Sequence, residues 1–180
     1  MNKEKLIIKG RDLSTITSKN AKRIAWLLRL CKIPIIGSEF RKEIPKLFIH
    51  AKNVEISRDF FCINGNIDAE DVGLHDTFCV DWGLIKIGQN TAFSNQNMIL
   101  TSTHDLEKFN EVIVKPVSIG ANVWITCRVI ILPGVSIGDN SVIGAGSIVT
   151  KDIPEGVFAA GNPCKPIKKI DRGKTKWWKN

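Results

Sequence analysis

No stretch of the chain approaches the roughly 20 apolar positions that a membrane-spanning helix needs. Met1 to Gly10 also lack the long apolar core of a secretory signal. The expected location is therefore the cytoplasm. Paired cysteines are missing too. Cys31, Cys62, Cys79, Cys127 and Cys164 make an odd set without any C-x-x-C, which fits neither a disulfide framework nor a structural zinc site. Reduced, mostly buried thiols are expected. A nucleophilic role for Cys127 would need a neighbouring base, and its neighbours are Thr126 and Arg128.

Acidic residues are scarce at both ends. Residues 1 to 32 hold nine Lys or Arg against two acids, and residues 165 to 180 hold seven against one. The intervening body holds ten against fifteen, so the net charge of +8 belongs to the termini. A nucleic-acid binder would carry its basic stripe on the folded body, and this distribution argues against that class and for two separate polyanion contacts. With 43% hydrophobic and 24% charged residues over 180 positions, a disordered chain is excluded and one domain with a sizeable core is expected.

What the chain does have is a period. Ile119, Ile125, Ile131, Ile137, Ile143 and Val149 fall at a strict spacing of six. Gly120, Gly138 and Gly144 follow three of them, and Asn122, Asp139, Asn140 and Ser141 fill intervals where a chain must turn. Six matches neither the helical 3.6 nor strand alternation alone; it suits short strands broken by tight turns, one aliphatic side chain per face pointing inward. Three faces close a coil of 18 residues. Ile87, Phe93 and Ile99 continue the period upstream, and Ile49, Ile67 and Ile85 recur once per coil. Five or six coils would stack to a prism about 25 to 30 Å tall. From Ile99 to Ile119 the separation is 20, so the segment near 101–116 must leave the regular path as a protruding loop, and it contains Thr103-His104-Asp105.

The stack needs covers at its ends. Ser18 is a candidate N-cap, Ile24, Leu27, Leu28 and Cys31 recur at helical spacing, and Pro34 stops the run, which predicts an amphipathic helix from about 19 to 32. Its other side carries Lys19, Lys22, Arg23 and Arg29: either a solvated basic face or a contact with a membrane surface or an acidic substrate. The organisation expected is a helical cap over 1–45, a β-helix over 46–163 and a basic extension over 164–180.

The stretch KPVSIGANVWITCRVIILPGVSIGDNSVIGAGSIVTKDIPEGVFAAGNPCKPIKKI, Lys115 to Ile170, resembles the hexapeptide-repeat acyltransferases, particularly the sugar O-acetyltransferases of the maltose, galactoside and colanic acid type. The resemblance implies an all-β, left-handed parallel β-helix, contrary to the usual right-handed crossover. It also implies a homotrimer with active sites between subunits, and transfer from acetyl-CoA to a sugar hydroxyl in bacterial surface-polysaccharide assembly. In such enzymes a histidine at the start of the protruding loop is the general base, and His104 in STHD occupies that place. A sugar hydroxyl is a poor nucleophile near neutrality, and a neutral imidazole that accepts its proton during attack on the thioester is worth about 10²- to 10⁴-fold. Asp105 is a candidate orienting partner.

By the same resemblance Trp124 in NVWI, Gly144-Ala145 in IGAG and Thr150-Lys151 in VTKD line the pantetheine path, while Lys165 and Lys168 meet the adenosine phosphate as point charges. Turn chemistry for the glycine pair and a solvated tail for the lysines are the bland alternatives. Galactoside-type relatives place an acidic residue near the acceptor, which makes Asp81 a candidate sugar anchor and Trp82 a stacking platform; an ordinary turn Asp and a Trp packed under a loop are the alternative. Two departures stand out. Thr126 replaces the usual Gly after VWI, and Pro166 replaces an aliphatic residue, which would delay the helix that normally follows. The three histidines, His50, His75 and His104, are 25 and 29 residues apart and do not stack on one edge, so no metal is expected. An N-acetyltransferase of amino sugars is the rival reading, although the 45 residues before the repeat leave no room for the nucleotide-binding βαβ domain such relatives usually carry. A non-catalytic scaffold is a further alternative.

Overall fold

A computed structural model describes residues 6–9, 19–33 and 37–173. The chain winds as a left-handed parallel β-helix of five coils and part of a sixth. Short strands form three walls, and residues one coil apart pair in parallel. Ser118 pairs with Ser136, Trp124 with Val142, and Ile130 with Ile148. The period-six residues all point inward. Ile119, Ile125, Ile131, Ile137, Ile143 and Val149 are each at most 2% exposed, stacked in three columns down the prism. Burying such a side chain contributes about 1.5–3 kcal/mol, which is why one aliphatic residue per wall suffices to set the register.

The corners explain the small and polar residues. Asn53, Asp71, Asn90, Asn122 and Asn140 have positive φ at one corner, a conformation in which Asn and Asp are tolerated through local hydrogen bonding. Their side chains link coil to coil: Asn90 Nδ2 donates to Asn122 Oδ1 at 3.0 Å, and Asn122 Nδ2 donates to Asn140 Oδ1 at 2.8 Å.

Ile87 pairs with Ile119, 32 residues on rather than 18, so 14 residues are inserted into that coil. The protruding segment is not irregular. Ser102–His104 and Glu111–Val114 form an antiparallel hairpin, and Leu6–Lys9 adds a third strand to its far side. Val112 and Val114 are buried against Trp82, which roots this small sheet on the prism.

Several boundaries differ from those expected. The N-terminal segment is not purely helical, because it contributes the Leu6–Lys9 strand. Its helix, α1, spans Ala21–Leu30, with Asn20 at the N-cap; Ser18 and Pro34 lie outside the described residues. The Asn20 side chain donates to Leu47 O instead of capping α1. Ile24, Leu27, Leu28 and Cys31 are buried and join the main core, closing its upper end as the helical spacing predicted. Ile49 breaks the 18-residue series: the first strand of the prism starts at His50, and Ile49 is 64% exposed. At the other end, among the described residues up to 173, no helix follows Pro166. Cys164–Lys169 is a strand running antiparallel to Val157–Gly161, covering the lower edge of the last coil.

Candidate active site

His104 ends the first strand of the hairpin, on the outside of the prism. Its Nδ1 lies 2.8 Å from the Phe109 carbonyl oxygen. A carbonyl only accepts, so Nδ1 carries the proton, and a neutral ring then holds its lone pair on Nε2. The Phe109 ring stacks on the imidazole, with centroids 4.6 Å apart and planes at 16°. This ring is itself 77% exposed, so the imidazole edge faces open solvent. Asp105 does its visible work elsewhere: its Oδ1 accepts from the Glu107 and Lys108 N–H groups and shapes the turn of the hairpin. Phe109 had no signal in the sequence, because its polar contribution is a main-chain carbonyl.

At the hairpin's root, Lys115, Pro133, Gly134, Val135, Thr150, Lys151 and Asp152 line a groove of about 340 Å³. Gly134 has φ +86°, and a Cβ there would stand 3.0 Å from the Lys115 side chain, so glycine keeps the lysine stem along the groove. Thr150 and Lys151 thus share a corner with the hairpin that carries His104. Lys115 was not singled out from the sequence.

The remaining predicted cofactor residues gather along the other edge of the wall that holds Ile130 and Ile148. Trp124, Val142, Phe158 and Lys168 occupy consecutive rungs. Trp124 Nε1 donates to Ser94 Oγ at 3.1 Å. A Cβ on Gly144 would come 2.7 Å from Ala160 Cβ and 3.2 Å from the Phe158 ring, so glycine is needed there for close packing, and Ala145 next to it is exposed. Lys165 and Lys168 would face opposite sides of a regular strand. The irregularity in pairing between Phe158 and Ala159 sets Lys165 opposite Ala160 and Lys168 opposite Phe158, which places both exposed lysines on one side. Pro166 sits at this irregularity, where a missing N–H is tolerated. Thr126 turns its hydroxyl inward, donating to Ile143 O at 2.6 Å, and its neighbour Cys127 is exposed.

Both acceptor candidates are engaged by the protein's own groups. Asp81 is 0% exposed. Its Oδ1 accepts from the Ile63 and Asn64 N–H groups at 2.7 and 3.1 Å, and Oδ2 from Asn64 and Asn66 at 3.2 and 2.8 Å. A carboxylate so engaged closes a turn of the preceding coil and has no face for a sugar. Trp82, half-buried, packs under the hairpin against Val112 and Val114 and supports the His104 sheet from below.

The other histidines lie apart. His50 Nδ1 is 3.0 Å from Asp68 Oδ1 on an outer wall, and His75 sits in a turn where its carbonyl accepts from Thr77 Oγ1. Among the described residues no group of three His, Cys, Asp or Glu side chains is arranged to hold a metal ion. Burial pushes the Cys62 and Cys79 thiols well above the usual range, with the nearby Asp81 charge adding to it. These are inert interior groups.

Comparison with known proteins agrees with this geometry. A family profile described as "Bacterial transferase hexapeptide (six repeats)" matches residues 116–151. The galactoside O-acetyltransferase of Escherichia coli (strain K12) is 42% identical over 151 residues, covering 81% of this chain and 68% of that protein. The chain spans 59% to 68% of the length of three curated relatives it matches. Among solved structures, a maltose O-acetyltransferase from Clostridium difficile 630 superposes with a TM-score of 0.78 at 36% identity over 90% of both chains. A galactoside acetyltransferase in complex with coenzyme A does so at 0.76 and 33%, over 90% of this chain and 86% of that one. With its stacked six-residue repeat, its inserted hairpin and these relatives, the chain belongs to the hexapeptide-repeat acyltransferases.

Proposed function

We propose that the protein transfers the acetyl group of acetyl-CoA to a hydroxyl of a sugar, with His104 as general base. The observation that carries this reading is the 2.8 Å contact between His104 Nδ1 and the Phe109 carbonyl, which leaves Nε2 as the proton acceptor on an accessible edge. The sugar oxygen attacks the thioester carbonyl carbon while Nε2 takes its proton. Collapse of the tetrahedral adduct breaks the C–S bond, and the imidazolium returns the proton to the departing thiolate. The products are an acetyl ester and free coenzyme A, and no covalent enzyme intermediate is required. The relatives named for galactoside and maltose acetylation support a sugar acceptor, and we assign the reaction to the modification of bacterial surface polysaccharide.

The catalytic and cofactor candidates fall on two corners of one protomer. His104, Thr150 and Lys151 lie on one, and Trp124, Gly144, Ala145, Lys165 and Lys168 gather at the other. The wall between them presents Phe61, Phe78, Met98, Ile130 and Ile148 on its outer side, paired rung to rung, an all-apolar stripe that favours burial in an assembly. Threefold association through this wall would bring the corner of one protomer to the opposite corner of the next, completing one site from two chains.

The test is an assay of thiol release from acetyl-CoA with galactosides, maltose and an amino sugar. Ester formation on the hydroxyl sugars is expected. Exclusive amide formation on the amino sugar would replace the reading with N-acetyl transfer, and release with none of them would reject it.

A further inference from the structure

The strand Leu6–Lys9 belongs neither to the prism nor to the helical cap, and lies about one hundred residues in sequence from the segment it pairs with. Its register runs through the catalytic hairpin: Ile8 pairs with Val112 and Val112 with His104, while Ile7 pairs with Ile113 and Ile113 with Thr103. We infer that this N-terminal strand is a positioning element of the transfer reaction, holding the hairpin in the conformation that presents the His104 base. The inference rests on the role of His104 proposed above.

The physical case comes from how little else holds the hairpin. Two antiparallel strands alone are at best marginally stable in water, whereas a third strand and an apolar face make such a sheet persist. The apolar support here is a small cluster of Val112, Val114 and Trp82, separate from the main core. Without Leu6–Lys9, the outer main-chain groups of Glu111–Val114 would form an open edge, and the hairpin would join the locally unfolding elements of the fold. The Phe109 carbonyl that selects the His104 tautomer lies in the connection between the two hairpin strands, so opening of the hairpin removes the base and its orienting partner together. The strand thus acts on turnover through His104 and touches no substrate.

The prism does not depend on it. Among the described residues the main core is built from Ile24 onward, so loss of the strand should leave the coils intact. Two variants test this: a chain starting at residue 11, and the full chain with Ile7→Pro and Ile8→Pro together, which breaks the ladder without shortening the protein. Turnover is expected to fall at least about fivefold in both, as the competent hairpin becomes a minority state. The KM for acetyl-CoA should stay within about twofold, and amides of 102–104 and 111–114 should exchange at least about tenfold faster while coil amides keep their protection. Unchanged turnover overturns the inference. So does a loss of turnover that comes with a parallel loss of coil protection and of acetyl-CoA affinity, since that marks a general structural role. His104→Ala in the full chain separates the two levels. If that variant is active, the base assignment itself fails; if it is inactive while the strand variants work normally, only the positioning role is rejected.

Discussion

Replacing Asp81 with Asn distinguishes a turn-closing residue from a sugar-binding one, and its effect follows from four distances. Three main-chain N–H groups converge on the two carboxylate oxygens at 2.7 to 3.2 Å, within a site of zero exposure. An amide keeps one oxygen and turns an NH2 donor toward the N–H groups that had the other. Either rotamer loses the charge and leaves the part-buried N–H of Ile63 or of Asn66 facing a donor. Hydrogen bonds to a charged group contribute about 1.5–3 kcal/mol each, and an orphaned buried donor costs about 1–3 kcal/mol, so a loss of about 3–5 kcal/mol is expected. For a chain of this size that is a fall in Tm on the order of 10 °C, measured by circular dichroism at fixed protein concentration. Acceptor KM should be unchanged at a temperature where the variant is folded. A Tm within about 2 °C of the parent together with a raised acceptor KM would refute the structural assignment and restore Asp81 to the sugar site.

Three further outcomes follow from the same structure. Lys165→Ala with Lys168→Ala should raise the KM for acetyl-CoA about tenfold or more and leave kcat nearly unchanged, because both lysines are expected to meet the cofactor's phosphate and not the reacting atoms; a kcat defect at saturating acetyl-CoA would contradict this. Phe109→Ala keeps the carbonyl but removes the stacked ring, so kcat should fall a fewfold while thermal stability is retained, and Phe109→Tyr should recover most of the loss. A thiol reagent at pH 8 should label Cys127 of the native protein and spare Cys31, Cys62, Cys79 and Cys164. Burial is the leading cause holding the thiols of these four protonated to higher pH, and it also shields them. Rapid labelling of more than one thiol per chain would show an interior looser than described.

The sequence carried the repeat because each inward column needs the same kind of residue at the same interval, as Ile119 to Val149 display. Even the insertion was visible as the broken spacing between Ile99 and Ile119, although its size of 14 residues emerges only from the pairing of Ile87 with Ile119. Its structure was hidden. Ser102–His104 and Glu111–Val114 are too short for a strand pattern, and their third partner at Leu6–Lys9 is remote in sequence, so no local periodicity marks the sheet. Asp81 and Trp82 were ambiguous for a different reason: a carboxylate beside an aromatic reads equally as an anchor for sugar or as a staple for backbone, and the full burial of Asp81 is visible only in the fold. Lys165 and Lys168 read as leading into a helix, whereas they lie on a strand whose pairing irregularity near Phe158 sets them side by side. Phe109 was silent, since a main-chain carbonyl has no letter in a sequence.

The central claim, that His104 is the base of a direct acetyl transfer, is tested most directly by steady-state kinetics of His104→Ala with acetyl-CoA and a hydroxyl acceptor that the parent enzyme acetylates. The account predicts a fall in kcat of at least about 10²-fold with the dissociation constant of coenzyme A unchanged. A variant that turns over within a few-fold of the parent would contradict it.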